Sequence, residues 1–142
     1  MQQAMPTDVE DFCETIEDCY EFTLSYAAKG VPADESSDLG RQLREKLQRA
    51  VSAMHSLQAG CTALVESHAL TPAETYQAFF AVLARDAQSA AAAVGLVLAQ
   101  PVIGPQLIDN LNASIHLRAL LTDLFLVTEI LTARQANPVA AR

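Results

Sequence analysis

A chain of 142 residues is long enough to bury roughly 70% of the surface its unfolded form exposes. With 51% hydrophobic residues, no tryptophan and five glycines it is weighted toward helix rather than sheet. Nine basic against 17 acidic side chains leave a formal charge of −8, which repels phosphate backbones and argues against nucleic-acid binding. Three cysteines, an odd number, together with an N-terminus that lacks a basic segment, a long apolar core and a small-residue cleavage site, point to reduced thiols and a cytoplasmic protein. The apolar run at 90–99 stops at Gln100 and Pro101, short of the ~20 residues a membrane span needs, so no membrane is expected.

The whole chain reads as one helical-bundle domain, 1–142, with loose termini at 1–6 and 136–142. Its first helix opens at Thr7, which forms the capping box T-x-x-E with Glu10, and Asp8, Glu10 and Asp11 occupy the first turn where the helix dipole favours acids. Phe12, Ile16, Cys19, Tyr20, Thr23 and Ala27 recur at steps of three and four and predict one buried face, and Gly30 stops the helix. The opposite face carries Glu10, Glu14, Glu17, Asp18 and Glu21, with no base before Lys29. Glu10, Glu14, Glu17 and Glu21 are the expected contact for a basic protein partner.

A connection at 31–35, marked by Pro32, leads to a second helix capped by Ser36 or Ser37. Its inward face reads Leu39, Leu43, Leu47, Ala50, Met54, Leu57, Cys61, Leu64 and His68. Arg41, Arg44, Lys46 and Arg49 are expected beside Asp18 and Glu21 of an antiparallel first helix, and Gly60 after Ala59 allows a kink. Thr71, Pro72 and Glu74 then predict a hydroxyl cap, proline at the first position of a third helix and glutamate at its third. That helix turns Tyr76, Phe80, Leu83, Ala87, Ala90, Val94 and Leu98 inward. Pro105 opens a fourth helix reaching Arg134, and from Leu117 to Leu131 its apolar residues exceed the ~100° stripe that a surface helix hides.

Four long helices with short connections predict an all-α, antiparallel up-and-down four-helix bundle. The surplus apolar surface predicts a homodimer through the third and fourth helices, with Val94, Leu98, Leu117, Leu121, Leu124 and Phe125 at the contact.

Chemistry is harder to find. A carboxylate-bridged di-iron bundle would show Glu-x-x-His on two helices, and none occurs. His68, His116, Glu66, Asp109 and Glu129 lack ligand spacing, and no glycine-rich turn precedes a helix, so neither metal nor cofactor is expected. Cys13 and Cys19 lie six apart on one helix and cannot bridge each other, whereas Cys61 can approach either across a helix pair, as a redox switch would require.

The run Met54, His55, Ser56, Leu57, Gln58, Ala59, Gly60 resembles the phosphoacceptor helix of histidine phosphotransfer domains, in which the histidine is followed two places on by leucine, then lysine, then glycine. Leu57 matches, Gln58 and Ala59 replace the lysine and the glycine, and Gly60 falls one place late. The resemblance implies His55 as phosphoacceptor of a signalling bundle. The residues themselves favour a non-enzymatic, regulatory interaction module of adaptor, chaperone, immunity or inhibitor type. A sensor enclosing an apolar small molecule between the third and fourth helices is the remaining expectation.

Overall fold

The computed structural model describes residues 7–30 and 37–136. Five helices occupy 88% of them: α1 (Thr7–Lys29), α2 (Asp38–Ser67), α3 (Ala73–Leu98), α4 (Pro105–Asn112) and α5 (Ile115–Ala136), and no strand occurs among the described residues. Of the expected loose ends at 1–6 and 136–142, only Ala136 is described, and it ends α5; the connection at 31–35 and the alternative cap Ser36 lie outside that set, as does the side chain of Thr7 and with it the hydroxyl half of the capping box.

Local signals account for most helix ends. Ser37 is the N-cap of α2, its hydroxyl accepting from the Gly40 amide at 3.0 Å. Gly30 follows α1 with φ +63°, the left-handed conformation that glycine adopts without penalty. The start of α3 differs from expectation: the helix begins at Ala73, Pro72 is its N-cap, no side chain caps it, and the Pro72 carbonyl accepts from the Thr75 and Tyr76 amides.

The fourth helix is also not continuous. Its chain breaks at Ala113 and Ser114, where the Ala113 amide closes α4 on the Asp109 carbonyl and the Ser114 hydroxyl accepts from the His116 amide to start α5. The break frees Asn112 to turn inward, where its Oδ1 lies 2.9 Å from the Thr23 hydroxyl of α1.

Contacts near the ends of the helices set which of them lie side by side. Asp18 of α1 meets Lys46 of α2 while Val9 and Phe12 lie against Gly60. Arg44 of α2 donates to the Leu98, Gln100 and Pro101 carbonyls at 3.1, 2.7 and 3.3 Å, neutralising the exposed carbonyl end of α3. Val94 of α3 and Leu117 of α5 border one small void, and Asp86 meets Asp123 further along the same pair. One core runs between them, built from Ile16, Leu47, Leu57, Leu83, Leu120 and Leu124, all buried. By length and composition α3 could cross a bilayer. Here its Phe80, Leu83, Ala87, Ala90 and Val94 close that core.

The mid-helix glycines play different parts. A Cβ at Gly60 would stand 3.2 Å from Val9 Cγ2, so glycine lets α1 lie close on α2, which is helical through this point. At Gly95 a Cβ meets nothing within 4 Å. Gly95→Ala is therefore expected to stabilise the chain by ~0.5–1 kcal/mol through helix propensity, and Gly60→Ala to be less favourable by roughly 1 kcal/mol because Val9 must shift. Urea unfolding of the two variants checks this; equal effects would remove the close approach from the account.

Candidate interaction surface

Two features of the surface stand apart from an ordinary solvated face. The first lies on α1, where Glu10, Glu14 and Glu21 are exposed and Glu17 is half-buried. Burial, then the neighbouring charges of Glu21 and Glu14, push Glu17 above its usual range. One base of α2 answers this helix where expected: Lys46 crosses to Asp18 at 2.6 Å, and its ammonium also sits 5.5 Å from the centre of the Phe22 ring. Arg49 pairs with Glu45 and Arg41 with Asp38 on their own helix, and Arg44 is taken up by the end of α3. Glu10, Glu14, Glu17 and Glu21 thus meet no cation among the described residues.

The second feature is the seam between α3 and α5. Asp123 is only 9% exposed, and its carboxyl is hydrogen-bonded to that of half-buried Asp86. Burial, the hydrogen bond with Asp86 and the charge of Asp86 push Asp123 up to about 7. Two carboxyls in one apolar seam cannot both ionise cheaply, so Asp123 holds its proton up to about neutral pH. Sequence reasoning passed over this pair, although Asp123 falls three residues after Leu120 and four before Val127, a spacing that places it on the inward face.

The six residues expected at a dimer contact divide. Val94, Leu117, Leu121 and Leu124 are buried within the chain's own core, Leu98 is half-buried, and Phe125 is 54% exposed. α5 spreads its apolar residues widely, and the inward ones are covered within the chain, chiefly by α3.

His55 is exposed on α2, with Gln58 and Ala59 one turn on and no lysine beside it. The thiols are buried: Cys13 is pushed up to about 11, by burial foremost and by Glu17, Glu10 and Glu14 against the lowering effect of Thr128. Cys19 and Cys61 are pushed up to about 12, chiefly by burial. All three are protonated at neutral pH and weakly nucleophilic. Among the described residues no three His, Cys, Asp or Glu side chains are grouped to hold a metal ion. The void in the core beside Thr23 and Leu117 measures about 10 Å³, far below the ~300 Å³ at which small-molecule pockets begin. Comparisons with protein-family models, with curated proteins and with solved structures find no match for this chain.

Proposed function

We propose that this chain is a non-enzymatic interaction module, built as an antiparallel up-and-down bundle whose fourth arm is α4 followed by α5, and that it regulates a basic protein partner by occupying it. The observation that carries the reading is the unanswered row Glu10, Glu14, Glu17 and Glu21, left uncompensated while every base in the first turns of α2 is engaged elsewhere. Like charges at this spacing cost a helix a few tenths of a kcal/mol per pair. A basic surface laid along the row removes that repulsion and is steered to it by the net charge of −8.

A second copy of the chain fits less well as the main partner. Most of the side chains once expected at such a contact lie in the core, and two chains of charge −8 repel each other. The test is affinity capture on the immobilised chain and on its Glu10→Lys, Glu14→Lys variant, with bound proteins quantified by mass spectrometry. At least one basic protein should be retained by the native chain and lost from the variant. The same set on both columns would contradict the reading.

A further inference from the structure

We infer that the basic partner seats a short segment in the cleft between α1 and α2, with an arginine or lysine beside Asp11 and Glu14 and an apolar side chain from the same face of the segment against Phe12. The inference rests on the interaction-module reading and names the element of the partner that α1 recognises.

The cleft has room and two kinds of lining. Open hollows of about 380 and 390 Å³ lie between the helices and meet at Thr15 and Arg49. Each is within the range of ordinary ligand sites, ~300–1,000 Å³. The first has half-buried Phe12 and buried Ala53 in its wall, with Gln48, Ser52 and Ser56 around them. The second is bordered by Asp11, Glu14 and Asp18 of α1 and by Lys46 of α2. An apolar compartment therefore adjoins a charged one, and peptide recognition takes its specificity from such paired pockets for side chains at a fixed spacing.

Charge selects the occupant. Lys46 is held by Asp18 at 2.6 Å, and Arg49 by Glu45 at 3.2 Å. Asp11 and Glu14 are exposed and meet no cation among the described residues, so the second hollow carries two carboxylates without a counter-charge. They stand three apart on one helix, close enough for a single guanidinium or ammonium to reach both. An acidic segment would add to their repulsion, and a wholly apolar one would strip water from both and give no hydrogen bond in return. A second copy placing the same face here about a two-fold axis would bring four such carboxylates together.

The test uses a phage-displayed library of short peptides selected against the full chain, followed by fluorescence anisotropy of the best synthetic clone. Enriched clones should share one arginine or lysine and one large apolar residue at a fixed spacing. Ser52 is exposed at the edge of the apolar hollow, so Ser52→Trp fills that hollow from outside the core. Affinity should fall about tenfold or more on Ser52→Trp and about fivefold or more on Asp11→Asn, each checked for native helicity, and change less than about twofold on Asp109→Asn of α4, which alters the net charge equally. Clones without the basic and apolar pair, or equal affinity for either cleft variant, would overturn the inference. So would a dimer by light scattering that Ser52→Trp dissociates, since a second copy would then occupy the cleft. No such clone, from a chain that still captures a basic protein through Glu10 and Glu14, sinks the cleft and leaves the module reading standing; failure of both selections sinks both.

Discussion

Leu121→Asp is expected to unfold the chain, whereas Phe125→Asp, one turn further along α5, should leave it folded. Leu121 is 4% exposed inside the core and Phe125 is 54% exposed. At the first site the substitution removes a packed leucine, at a cost of ~2–5 kcal/mol, and buries a carboxylate with no partner, which adds several more. That total is of the same order as the ~5–15 kcal/mol by which a domain of this kind is stable. At the second site the new carboxylate stays in water. Far-ultraviolet circular dichroism reads the difference: helix lost in one variant and retained in the other. Similar outcomes for both would mean that α5 is rotated from the orientation described here.

Stability is also expected to fall as pH rises from about 4 to about 7, because of Asp123. Its ordinary value is 3.8 and burial beside Asp86 raises it to about 7 in the folded chain. Between those values the folded form keeps a proton that the unfolded form has released, so raising the pH draws the equilibrium toward unfolding. Below the window both forms hold the proton, and above it neither does. Discounted for the solvent that reaches the pair through half-buried Asp86, the loss is on the order of 1–2 kcal/mol. Asp123→Asn keeps the shape and a donor toward Asp86 while removing the titration. Chemical denaturation should find the variant more stable than the native chain at pH 8 by about that amount, with the difference vanishing near pH 4. An unchanged difference across this range would remove the retained Asp123 proton from the seam.

Much of the fold was legible because periodicity and capping act locally. The threes and fours of Leu43, Leu47, Leu57 and Leu64, the serine cap at 37 and the glycine at 30 all reappear in the structure. The break at Ala113 and Ser114 was not foreseen, because the apolar spacing from 105 onward outweighed one serine that caps a new helix. Pairings between helices were least legible. That Arg44 would reach the end of α3 and that Asp86 would meet Asp123 depend on the register of whole helices, which no local pattern encodes. The surplus of apolar residues late in the chain was visible, but the share that the chain covers itself was not: Leu117, Leu121 and Leu124 turn inward while Phe125, Leu126 and Ile130 stay at the surface.

The acidic row on α1 is tested most directly by the ionic-strength dependence of association between the chain and the basic protein it captures, measured for the native chain and for Glu10→Lys, Glu14→Lys. Fast association that weakens steeply with salt is expected for the native chain, and slower association with a flattened salt dependence for the variant, with helicity unchanged in both. Equal affinity and equal salt dependence at low ionic strength would contradict the account and leave the row a solvated face.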